Sequence, residues 1–130
     1  MADFYIEKRI YYHDTDCGGV VYYANYLKHL EEARTEFCRH KSIDLRKLSR
    51  EGTLFVVIRL EIDYKSPARY QDKIRIFTKV EKVRHSSLEF AQEIMRGDSL
   101  LIRGKTIWVC VGENFKPKPI PRDIKKLFLE

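Results

Sequence analysis

Residues 54–64 place Leu54, Val56, Ile58, Leu60, Ile62 and Tyr64 at every second position without a miss. A side-chain period of two belongs to a β-strand, whose residues point alternately to opposite faces. The same period returns at Ile74, Ile76, Thr78 and Val80, and at Leu88, Phe90, Gln92 and Ile94. It returns again through residues 100–111, with Ile107, Val109 and Val111 on one side and Trp108 and Cys110 on the other. Phe4, Ile6, Ile10 and Tyr12 predict a shorter strand over residues 4–12, its apolar face interrupted by Lys8. Only one segment has the period and length of a substantial helix. From about Tyr23 to His40, the residues Tyr26, Leu27, Leu30, Ala33, Arg34 and Phe37 recur every three or four positions. Lys28, Glu31, Glu32, Glu36 and Arg39 fill the opposite face. No Gly or Pro breaks this segment, which would be about 25 Å long at ~1.5 Å per residue. Shorter helices are expected over Ser42–Ser49 and Pro121–Leu129, the latter after a proline-rich extended stretch, Asn114–Pro121.

Four long strands joined by short turns make an antiparallel sheet, and its apolar face must be covered. The segment at 23–40 is the only element long enough to cover it. The expectation is therefore an α+β fold, a curved sheet wrapped around one long central helix. At 130 residues the chain is expected to form one domain spanning 1–130. A hydrophobic share of 44% with 12% aromatic residues argues against disorder. No apolar run reaches the ~20 residues of a membrane helix, and Met1-Ala2-Asp3-Phe4 does not read as a signal peptide. Cys17, Cys38 and Cys110 are too few and too widely spaced for a disulfide framework or a paired zinc signature, so reduced thiols in a cytoplasmic protein are expected. The net charge of +6 suits an anionic partner without choosing one.

The densest cluster of polar and small residues is His13-Asp14-Thr15-Asp16-Cys17-Gly18-Gly19-Val20-Val21, between the first strand and the helix. Two glycines allow a tight turn and close approach of a ligand. The helix that follows presents unpaired N–H groups at its positive end. A carboxylate beside free N–H donors resembles half of an acyl-transfer site, in which the donors polarise a carbonyl and the acid attacks it or activates water. The alternative is that Asp14 and Asp16 only cap the turn and the helix.

The stretch from Tyr12 through Asp16-Cys17-Gly18-Gly19-Val20-Val21-Tyr22-Tyr23 to Leu27, continuing to Glu32-Ala33-Arg34-Thr35-Glu36, resembles the signature of hotdog-fold acyl-CoA thioesterases. It is most similar to the 4-hydroxybenzoyl-CoA thioesterase group and its Tol–Pal-associated branch. A second block, Phe55-Val56-Val57 leading to Tyr64-Lys65-Ser66-Pro67-Ala68-Arg69-Tyr70-Gln71-Asp72, agrees, as does Val109-Cys110-Val111 with the tail Lys116–Pro121. The resemblance implies a five-stranded antiparallel sheet around a helix, and a homodimer with active sites at the subunit interface, often paired into a homotetramer. It implies an acyl-CoA substrate, with no cofactor beyond the substrate's own CoA and no metal. The family's catalytic carboxylate falls on Asp16, as nucleophile or general base, and its carbonyl-polarising N–H falls on Tyr23, with the Gly19–Val21 turn shaping the approach. That branch commonly has histidine where this chain has Tyr23, a change that a backbone donor survives.

Lys82, Arg84, His85, Ser86 and Ser87 cluster at a turn and are candidates for the nucleotide phosphates, the alternative being a solvated basic hairpin. A second functional reading is a protein that holds acyl-CoA or acyl carrier protein without turning it over. Gly97-Asp98-Ser99-Leu100 spells an esterase signature, but it bridges two alternating segments and reads as a hairpin turn. Asp14-Thr15-Asp16 does not follow the apolar parallel strand that a D-x-D phosphatase needs. Cys17 lacks an evident His partner, and His29 and His40 read as packing or surface residues. The basic tail (Lys116, Lys118, Arg122, Lys125, Lys126) carries no nucleic-acid reader motif and reads as solvated.

Overall fold

A computed structural model describes residues 3–130. Strand β1 (Tyr5–Arg9) is followed by a 3-10 turn at Tyr12–Asp14, then by helices α1 (Asn25–His40) and α2 (Leu45–Arg50). Strands β2 (Leu54–Tyr64), β3 (Lys73–Val83), β4 (Ser87–Arg96) and β5 (Ser99–Val111) come next, and α3 (Arg122–Leu129) closes the chain. All five strands form one sheet, in the order β1-β3-β4-β5-β2, and every pairing is antiparallel. This is the predicted antiparallel sheet; in place of the expected long central helix, α1 is a 16-residue helix that packs on the sheet through Tyr26, Leu30, Ala33 and Phe37. The helix starts at Asn25, so Tyr23 sits in the turn before it.

The core divides along α1. Its first half packs Tyr26, Leu30 and Ala33 against Ile74, Ile76, Ile94 and Ile102. Its second half packs Phe37 and Cys38 against Leu88, Phe90, Trp108 and, from α3, Ile124 and Phe128. A buried polar seam separates the two. Arg34 donates to Gln92 Oε1 (3.0 Å) and Thr106 Oγ1 (3.3 Å), and Gln92 Nε2 donates to the Leu30 carbonyl and to Thr78 Oγ1, both at 3.0 Å. Burial lowers the Arg34 pKa, and its Nε has no partner among the described residues.

Three details depart from the simple periods. The even-numbered face of β2 is not continuous, because a bulge falls between Val57 and Arg59. Phe55 and Val57 lie opposite Cys110 and Trp108 and face the core side, whereas beyond the bulge Leu60 and Ile62 take that face, opposite Thr106 and Gly104. Tyr12 is exposed because β1 ends at Arg9 and the 3-10 turn redirects it, and Leu27 is also exposed. Lys8, on the inward side of β1, is accommodated by an ion pair with Glu32 of α1.

Candidate active site

The loop between the 3-10 turn and α1 is pinned to the rest of the fold at both ends. Thr15 and Val21 bridge each other, Val20 bridges Arg69, and the Val21 N–H donates to the Ala68 carbonyl at 2.9 Å. Inside the loop the Asp16 N–H donates to Val20 O (2.9 Å) and the Gly19 N–H to Asp16 O (3.1 Å). Gly19 has φ +77°, a left-handed conformation that a residue with a Cβ adopts only at a cost. Asp16 Oδ1 accepts the Gly18 N–H at 2.8 Å. The Asp16 side chain is exposed, and its second oxygen takes no hydrogen bond among the described residues.

Asp14 is the buried member of the aspartate pair. Its Oδ2 accepts the Tyr11 N–H at 2.9 Å, and its backbone carbonyl accepts both the Tyr22 N–H (2.9 Å) and Asn25 Nδ2 (3.0 Å). Asp14 thus caps the 3-10 turn, and Asp16 braces its own turn with one oxygen. With Tyr22 satisfied, the Tyr23 N–H is the next donor, and it meets no acceptor among the described residues. The Tyr23 carbonyl accepts from Tyr64 Oη at 3.3 Å, which fixes the peptide beyond it. The Tyr22 phenol is pushed above its ordinary pKa, first by the adjoining Tyr23 phenol, with Asp16 a smaller contributor.

The sequence candidates therefore divide in space. Asp16, Gly19, Val21 and Tyr23 come together on one loop, at the end of the sheet where β3 begins. Arg84, His85 and Ser86 lie at the β3–β4 turn, the opposite end of a strand that spans about 36 Å at ~3.3 Å per residue. There the Ser86 carbonyl accepts the Cys110 N–H, the His85 carbonyl accepts the Ile120 N–H, and Arg84 pairs with Glu89 at 3.4 Å. A groove of about 770 Å³ opens beside Phe4, Phe37, His40, Phe128 and Leu129, and neither Asp16 nor Tyr23 lines it. Cys17 is exposed beside Asp16, whereas Cys38 and Cys110 are buried.

The sequence assigned no role at this loop to Asn25 or Tyr64, and His29, expected to be a packing or surface residue, is packed beneath it. His29 is buried, with Nε2 3.2 Å from Asp14 Oδ1 and Nδ1 3.7 Å from Glu32 Oε1. Its pKa is lowered, first by burial and then by the Lys8 charge, against smaller opposing effects of Asp14 and Glu32. The signal was present, since His29 follows Tyr26 by three positions and precedes Ala33 by four, which puts it on the buried helix face.

Residues 11–128 match the model of the thioesterase-like superfamily. The acyl-CoA thioester hydrolase YbgC of Escherichia coli O157:H7 is 39% identical over 118 residues, covering 89% of this chain and 88% of that protein. The acyl-CoA thioesterase YbgC of Haemophilus influenzae is 38% identical over 122 residues, 92% of this chain and 90% of its own. The crystal structure of a probable thioesterase from Bartonella henselae superposes with a TM-score of 0.86 at 31% identity, covering 92% of this chain and all of the other. A family match over almost the whole length, on a hotdog sheet that carries the expected loop, leaves one conclusion: the chain belongs to the thioesterase-like superfamily.

Proposed function

We infer that this chain hydrolyses acyl-CoA thioesters to a carboxylic acid and free CoA. The observation that carries the chemistry is the shared loop of Asp16 and the Tyr23 N–H. Among the described residues the Tyr23 N–H has no acceptor, and Asp16 keeps one oxygen uncommitted. A thioester carbonyl accepting that N–H is polarised, and charge growing on its oxygen is stabilised by a fixed donor. Asp16 then either attacks the carbonyl carbon or takes a proton from an attacking water. The C–S bond breaks, the thiolate leaves without a strong general acid, and one water is consumed overall. Gly19 and Val21 shape the approach. On this mechanism no metal or cofactor is required beyond the CoA of the substrate.

We further propose that the working unit contains a second copy of the chain. Asp16 is open to solvent in a single subunit, and the free edge of the sheet at β2 exposes Val57 (50%), Ile58 (60%) and Leu60 (37%). Two copies pairing antiparallel along β2 would bring the β3–β4 turn end of one subunit toward the Asp16 end of the other. The partner subunit's Arg84, His85 and Ser86 would then be available to the nucleotide phosphates, which a single chain cannot offer. A pair of such dimers would form the homotetramer. Three free cysteines suit the reducing cytoplasm, where we place the protein.

The test is thiol release across a panel of aliphatic and aromatic acyl-CoA substrates and acyl carrier protein thioesters. Turnover supports hydrolysis and ranks the carriers. Tight binding with no free thiol supports a binding protein instead.

A further inference from the structure

We propose that His29 is a positioning residue for the reaction, packed against the buried Asp14 carboxylate so as to hold the loop that aims Asp16 and the Tyr23 N–H. This rests on the roles given above to Asp16 and Tyr23. Each other acceptor of Asp14 is committed: Oδ2 to the Tyr11 N–H, and the carbonyl to the Tyr22 N–H and Asn25 Nδ2. Oδ1 faces His29 Nε2 at 3.2 Å, so the imidazole is the contact of α1 with the Asp14 carboxylate, as Asn25 Nδ2 is its contact with the Asp14 carbonyl.

The charged and titratable groups around His29 are Asp14 in the 3-10 turn, Lys8 on β1 and Glu32 on its own helix. His13, on the far side of Asp14 Oδ1 at 3.8 Å, is exposed. Neither ring nitrogen of His29 reaches hydrogen-bond geometry with any described residue, although both are buried. A buried polar group left short of its partner is costly, and such groups are retained where they serve a purpose. Burial favours the uncharged ring. Protonation would set an imidazolium against two carboxylates, draw Asp14 Oδ1 into an ion pair, and shift the carbonyl that holds Tyr22 and Asn25.

The experiment compares wild type, His29→Gln and His29→Phe in the full chain. Its readouts are kcat and KM for an acyl-CoA between pH 5 and 8, and the Tyr23 amide resonance by 15N NMR over the same range. Phe fills the space without a donor and is expected to lower kcat about tenfold with KM within about twofold. Gln keeps an N–H toward Asp14 and is expected to restore most of kcat, while abolishing the part of the acid fall and of the Tyr23 shift that follows His29. Wild-type kcat and Tyr23 resonance in His29→Phe overturn the proposal, and so does a Gln variant no better than Phe. Because the Tyr23 resonance is read without turnover, it still decides the role of His29 if Asp16→Ala proves active and the catalytic reading fails.

Discussion

The Asp14 carbonyl oxygen accepts the Tyr22 N–H at 2.9 Å, and the Tyr23 N–H that follows meets no acceptor among the described residues. The same carbonyl holds Asn25, the first residue of α1. One buried aspartate thus fixes Tyr22 and Asn25, next to the proposed donor, while the proposed acid lies two positions on.

Removing the Asp14 side chain takes the carboxylate away from the Tyr11 N–H and from His29 Nε2, while Glu32 stays 3.7 Å from His29 Nδ1. Asp14→Ala is expected to lose about 2–3 kcal/mol of stability, measured by urea denaturation. Its kcat should fall more than its KM rises, since the geometry of the loop rather than substrate contact is disturbed. Asp14→Asn, which keeps an acceptor for Tyr11, should lose less of both.

Gly18 guards the acid. A Cβ at this position would lie 3.3 Å from Asp16 Oδ1, so Gly18→Ala shifts the carboxylate by a few tenths of an ångström. The expected result is a drop in kcat with little change in Tm. Gly19→Ala meets open space but carries φ +77°, so its effect is strain of about 1–2 kcal/mol, visible as a lower Tm.

The thiols should separate by burial. Cys38 is pushed up to about 12 by its apolar surroundings, and burial also raises Cys110. A thiol reagent at pH 8 should label Cys17 alone in the folded protein, and a bulky label there should block turnover. Labelling of all three before unfolding would contradict the packing of the second core cluster.

Stability should fall on the acid side because of His29. Its folded pKa lies below the ordinary 6.5, so between that folded value and about 6.5 the unfolded chain binds more protons than the folded one. This contribution is intact above about 6.5 and is lost as pH falls through the folded pKa. Urea midpoints of His29→Gln should lack this slope, and an unchanged slope would contradict it.

Much of this architecture was legible in the sequence because burial enforces periodicity. β3, β4 and β5 each keep one face on the core over most of their length, so their alternation is readable, although the register shifts after Val80 in β3 and between Ile94 and Met95 in β4. The bulge at Ile58 was not legible, since an unbroken apolar alternation hides a switch of face that only pairing with β5 reveals. The apolar alternation also runs through residues left exposed on a free sheet edge, where it reads like core. In the site, the Asp-Gly-Gly turn marked the loop, but the two aspartates looked alike. What distinguishes them is burial: Asp14 accepts from Tyr11 and Tyr22, while Asp16 reaches solvent. His29 read as a packing or surface residue because a histidine on a buried helix face is ordinary until its neighbour across the gap is known to be a carboxylate.

The most direct test is the rate of thiol release by Asp16→Asn at saturating acyl-CoA, with Tm and oligomeric state measured on the same sample. A loss of about a thousandfold or more in kcat, with folding and assembly unchanged, is the predicted result. A variant that retains kcat within about tenfold would show that the chemistry is carried by another group.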